Sequence, residues 1–234
     1  MVEKLRSILK RTSWSLVLKA LIFAVAWWGL PFWLFLIIAL YLYFVPITGT
    51  GKVSVPFLVL LLISLLEGPS IVDAIIFAAI FYFILLIKDL LIIDRRSAYE
   101  IMVLVLSYLL LRSFFLDVGG SFGLRAFFYG LIVAVAISGM VGSFIKNFSD
   151  APYPFRRMLG WMTFLLMWQL VIVGLFLPLD FLYQSAIIFL MAAILIDLVP
   201  QYVFGELSRA KVLASGSVIF SLLVIVSASA RWML

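Results

Sequence analysis

The sequence predicts an all-α, polytopic transmembrane helical bundle, and three observations predict it. First, 67% of the 234 residues are hydrophobic, 12% are charged and the mean hydropathy is +1.30. A soluble domain carries about 25% charged and about 45–50% apolar residues. One core in a chain of this size has no room for such an excess. Second, the apolar runs are long and do not alternate, as from Ala186 to Leu195. In lipid the backbone must satisfy its own hydrogen bonds, so only helices and closed barrels cross. Barrel strands would read as alternating segments of about 10 residues. Third, Pro, Gly and charged residues interrupt the runs at the spacing of a membrane span, about 20 residues.

Nine segments follow, at roughly 13–30, 31–46, 53–67, 70–93, 98–117, 122–146, 157–178, 181–200 and 210–231, in one integral membrane domain covering 1–234. The first resembles a secretion signal, with Lys and Arg ahead of an apolar run and Ala24-Val25-Ala26 like a cleavage site. It is read as the first spanning helix. The second starts at Pro31 and is short. Val53 to Leu66 in the third spans 14 residues, about 21 Å of helix. Against about 30 Å of hydrocarbon, it either crosses a thinned region or enters and returns. Glu67-Gly68-Pro69-Ser70 and Pro178-Leu179-Asp180 are tight turns ahead of the fourth and eighth segments. Gly119-Gly120-Ser121-Phe122-Gly123, between the fifth and sixth, lacks the Lys and the preceding strand of a phosphate loop. The longest polar stretch, Lys146 to Arg157, precedes the seventh. No loop is long enough for a soluble catalytic domain.

Charge sets the expected orientation. If all nine segments cross with the N-terminus cytoplasmic, the inside holds Lys4, Arg6, Lys10, Arg11, Lys19, Lys52, Lys88, Arg95, Arg96, Lys146, Arg156, Arg157, Arg209 and Lys211, or 14 of the 17 basic residues. Only Arg112, Arg125 and Arg231 fall outside. Basic residues favour cytoplasmic loops, so the C-terminus is expected to be external. A count of eight is the alternative if two short segments are misread. Trp27, Tyr43, Trp161 and Tyr202 are among the aromatics expected to form an interfacial belt. The expected setting is a cell membrane, and the cytoplasmic membrane if the cell is bacterial.

Composition also removes function classes. There is no Cys and no His, so disulfides, the usual proton shuttle and the usual zinc and haem ligands are excluded. No metal and no cofactor are expected. The net charge of +6 is dispersed over loops, which argues for topology rather than for nucleic acid. The expected partners are the bilayer itself and a second copy or another membrane subunit.

Three groups of residues stand out. Toward the outer side lie Glu67, Asp73, Arg112, Asp117, Arg125 and Asp180. Ionisable groups near a bilayer interior are costly, at least about 2.5 kcal/mol at the centre, so these are candidates for substrate or ion binding. The plainer alternative is interfacial pairing, such as Arg112 or Arg125 with Asp117. The sixth segment carries Ala126, Gly130, Ala134, Ser138 and Gly142 at every fourth position. That smooth ridge suits close helix packing, within the chain or against a partner. On the inner side Lys88, Asp89, Arg95, Arg96 and Glu100, with Asp94, form the densest charged patch, suited to anionic headgroups or a cytoplasmic partner. Asp197 and Pro200 mark a further helix interruption.

A faint repeat links Glu67–Phe77 with Asp180–Phe189, and transporters are often built from repeats. The leading functional expectation is transport, a channel, or lipid handling through a carboxylate-bearing bundle. The alternatives are a structural scaffold subunit of a larger membrane complex and an intramembrane enzyme acting on a lipid-like substrate. The enzyme would need Glu67 to converge with Asp73 or Asp180.

Overall fold

The computed structural model describes residues 2–45, 50–89, 94–118 and 123–230, with side chains in the first stretch from Trp14 onward. Among these residues there are nine helices and no strands. They are α1 (Val2–Gly29), α2 (Phe32–Phe44), α3 (Ser54–Leu66), α4 (Ile71–Lys88), α5 (Arg95–Val118), α6 (Leu124–Phe148), α7 (Tyr153–Leu175), α8 (Phe181–Val203) and α9 (Arg209–Ser229). A 3₁₀ turn at Thr50–Lys52 precedes α3. The chain is a helical bundle of membrane type, and each predicted segment overlaps one helix.

Six helices, α4 to α9, are long and apolar enough to cross a membrane. Trp14–Gly29, α2 and α3 are shorter apolar helices. Gly119–Phe122, Arg231 and Trp232 lie outside the described residues.

Local chemistry sets the helix bounds. Proline starts α2 and α7: Pro31 and Pro152 stand at their N-caps, where a missing N–H costs nothing. Pro154 follows inside the first turn of α7, so this helix begins at Tyr153 rather than near 157. Asp94 caps α5: its carboxylate accepts the Ser97 N–H at 3.2 Å and the Ser97 hydroxyl at 2.7 Å. The two hydrogen bonds, hydroxyl first, hold the Asp94 carboxyl below its ordinary pKa. At the other extreme α8 runs through Pro200 to Val203. A proline in the last turn removes a single helical hydrogen bond, too little to end the helix.

The chain clusters into two compact units, Met1–Met102 and Val103–Leu234. The first is built on aromatic packing. Phe23 stacks on Phe81 at 4.3 Å and meets Phe35 edge-on at 5.1 Å, while Tyr43 stacks on Phe57 at 4.0 Å. All five rings are fully buried. Such pairs contribute about 0.5–1.5 kcal/mol beyond their buried area. Trp27 and Tyr43 therefore belong to the core, whereas Trp14, Trp33 and Tyr41 are exposed as belt residues would be.

These contacts also trace α3. Its first turn lies at Tyr43, the end of α2, through Phe57. Its last turn reaches Trp27, near the end of α1, whose Nε1 donates to the Ser64 carbonyl at 2.8 Å. Thus α3 runs antiparallel to α2 from one end of the unit to the other and does not turn back. At 13 residues its length is about 20 Å.

In the second unit α6, α7 and α8 form successive antiparallel neighbours. Phe127 of α6 meets Trp168 late in α7, and Phe155 early in α7 meets Tyr202 late in α8. Gly174 is the most crowded of the described glycines: a Cβ there would stand 2.6 Å from Phe115 and 2.7 Å from Ile188. The last helix, α9, rests on α8 through Leu223 and Val226, beside Leu179, Ile187 and Ala230, and has no buried residue of its own.

Candidate functional site

Glu67, Asp73 and the ends of α1 and α3 lie in the first unit; Arg112, Asp117, Arg125 and Asp180 lie in the second. Arg125 and Asp117 form the ion pair the sequence suggested, with Nη2 at 2.7 and 2.9 Å from the two carboxylate oxygens. Both side chains are solvated, 79% and 36% exposed, so this pair is a surface tie of about 0–1 kcal/mol. Arg112 is half-buried four residues before Leu116. Asp180 serves as backbone anchor for α8, its carbonyl accepting the N–H groups of Tyr183 and Gln184. No group of three or more carboxylates gathers among the described residues.

Glu67 is different, because it lines a cavity. Trp27, Leu30, Phe32, Phe35, Ser64, Leu65 and Pro69 complete a recess of about 260 Å³. The local sequence explains it. Leu30-Pro31 ends α1 and turns the chain into α2, placing Phe32 and Phe35 against α1. Glu67-Gly68-Pro69 ends α3, and the Glu67 N–H closes the last turn on Ile63. Two turns from different hairpins thus face each other, with the Trp27–Ser64 hydrogen bond fixing their separation. The result is a half-buried carboxylate beside one indole and two phenyl rings. Aromatic faces and a carboxylate are the complement of an organic cation. Asp73, half-buried in the first turn of α4, is not part of the lining.

At the opposite end of this unit the inner patch divides in two. Arg95, Arg96 and Glu100 are half-buried on the first turns of α5, and Asp94 is exposed. Lys88 does not join them as a solvated headgroup-binding residue: it is 2% exposed. Its Nζ donates to the Tyr43 carbonyl and stands 5.1 Å from the centre of the Tyr43 ring. Lys19, on α1, donates to the Val45 carbonyl. Two lysines from two helices therefore cap the end of α2, where carbonyls have no intrahelical partner and the helix dipole is negative. Asp89 follows Lys88 and has a buried oxygen without a hydrogen bond among the described residues.

The small-residue ridge is used unevenly. Ala126, Gly130 and Ala134 are buried, with a Cβ on Gly130 placed 3.1 Å from Val171 of α7. Ser138 and Gly142 are only half-buried, and Gly142 has open space around it.

Sequence reasoning singled out Glu67 from its depth and residue type, but not its company. Trp27 was expected in the belt, and Phe32, Phe35 and Ser64 carried no signal. A carboxylate in a turn facing another Pro-bearing turn with aromatics on both sides was the pattern to weigh. No known protein family matches the chain, and neither a curated protein nor a solved structure is similar to it.

Proposed function

We propose that this multi-pass membrane protein belongs to the transport or lipid-handling class and that it takes an ammonium group into the Glu67 recess. The observation that carries the reading is the wall of that recess: one carboxylate with Trp27, Phe32 and Phe35. Its 260 Å³ is below the about 300–1,000 Å³ of clefts for drug-sized ligands. That size suits a small head such as choline or ethanolamine. Cation–π attraction is worth about 0.5–1 kcal/mol at an exposed ring and about 2 when desolvated, and Glu67 supplies the opposite charge. The orientation supporting this reading has the N-terminus cytoplasmic, the recess external and the basic ends inside.

Proteoliposomes test it in two arms. One follows uptake of labelled choline; the other follows transbilayer movement of fluorescent phosphatidylethanolamine. Activity in the first arm assigns a free cation, and activity in the second a lipid headgroup. In either, Glu67→Gln is expected to lower the rate at least tenfold and Asp73→Asn to leave it unchanged. A rate indifferent to Glu67→Gln, or no activity in both arms, overturns the reading.

A scaffold role is the second reading, favoured by α9, which has no buried residue. Co-purification of a stoichiometric membrane subunit, lost when α9 is deleted, would support it.

A further inference from the structure

On the second unit, α6 and α7 border an open groove of about 410 Å³, lined by Val135, Ser138, Gly139, Arg157, Gly160, Trp161 and Phe164. Its floor is low because glycines from both helices and one serine face each other there. A Cβ on Gly160 would meet nothing within 4 Å. Its rim is apolar and outward-facing, with Val135 and Trp161 more than half exposed. Most of its length is thus hydrocarbon-like, and one end is a cation.

That cation is not held in an ion pair by any described residue. Arg157 makes no hydrogen bond or ion pair among the described residues. It lies in the opening turns of α7, where the dipole is positive and no side chain caps the helix. Arg156 is half-buried beside it, and Lys146, at the end of α6, is exposed. Asp150 in the intervening loop is the one acidic residue between Lys146 and Arg157. From Lys146 to Arg157 the chain thus carries three positive charges and one negative.

We propose that the groove seats one anionic phospholipid, with its phosphate on Arg157 and an acyl chain along Ser138, Gly139 and Gly160. Charge complementarity selects this occupant. A second helix would fill the apolar part and leave Arg157 unanswered, whereas a lipid with a negative headgroup satisfies both. This assignment is independent of the Glu67 recess, which lies in the other unit.

Trp161 reports on the groove directly. Full-length protein is reconstituted with phosphatidylglycerol or phosphatidylcholine carrying dibrominated acyl chains, and quenching is read as the difference from a Trp161→Phe protein. A basic residue near an anionic lipid surface contributes about fivefold in affinity, so half-quenching is expected at about fivefold less phosphatidylglycerol than phosphatidylcholine. Arg157→Gln should erase that preference, and Arg157→Lys should keep part of it. Gly160→Leu should also erase it by filling the floor while leaving the charge in place. Equal quenching by the two lipids in the parent protein overturns the assignment, as does a preference that survives Arg157→Gln. Size-exclusion and helicity measurements on each variant confirm that it is folded.

Discussion

The two units solve the same problem, packing helices in lipid, by different means. In the first, α2 and α3 have 13 residues each, and fully buried aromatic rings fill the space between helices. Side chains from neighbouring helices answer backbone groups, as Lys19, Lys88 and Trp27 do. In the second, every complete helix has at least 21 residues, and Gly130 and Gly174 stand where a Cβ would crowd a neighbouring helix. Lipid offers no hydrophobic gain for bringing helices together, so packing and hydrogen bonds must do it. Short helices favour polar ties at their ends, while long ones favour close backbones.

If that contrast is right, each unit breaks at its own kind of contact. The largest effect is expected from Lys88→Ala, which leaves the Tyr43 carbonyl without its charged donor. Loss of such a bond costs about 1.5–3 kcal/mol, read as a lower midpoint for unfolding in mixed micelles titrated with dodecyl sulfate. Gly174→Ala should cost about 1–3 kcal/mol by overpacking in the same titration, with the second unit losing amide protection first. Gly142→Ala sharpens the point by its sign. With nothing within 4 Å of the new Cβ, the variant should gain up to about 0.5–1 kcal/mol from helix propensity. If Gly174→Ala and Gly142→Ala behave alike, close approach is not what organises the second unit.

The smallest effect concerns Asp94. Its folded pKa lies below the unfolded one, so the cap contributes fully above the unfolded carboxylate pKa. That contribution is lost as pH falls through the folded value. Protection of the Ser97 and Ala98 amides, measured against the intrinsic exchange rate at the same pH, should fall in that acid window, and Asp94→Ala should show the low protection at every pH.

How much of this was legible in the sequence follows from the range of each interaction. The helices were, because a run of apolar residues between Pro and Gly is a local signal. Their ends were read less well where capping decided, as at Asp94 and at Pro152. The Arg125–Asp117 pair was legible too, since its members are eight residues apart. The burial of Lys88 was not: its partner is 45 residues away in sequence, and nothing near Lys88 marks it as different from Arg95. For the same reason Glu67 was identified while Trp27 and Phe35, brought to it by other helices, were not. The ridge on α6 was visible as a pattern, but which half would be covered depended on where α7 packs against it.

The lysine at the end of α4 also bears on how the chain is made. Tyr43 leaves the ribosome 45 residues ahead of Lys88. At about 5–20 residues per second the interval is about 2–9 s. Throughout it Lys19, already synthesised, is the only one of the two lysines able to reach the carbonyl end of α2. The first hairpin is therefore born half-secured, and its completion waits for the arrival of a residue from the next one.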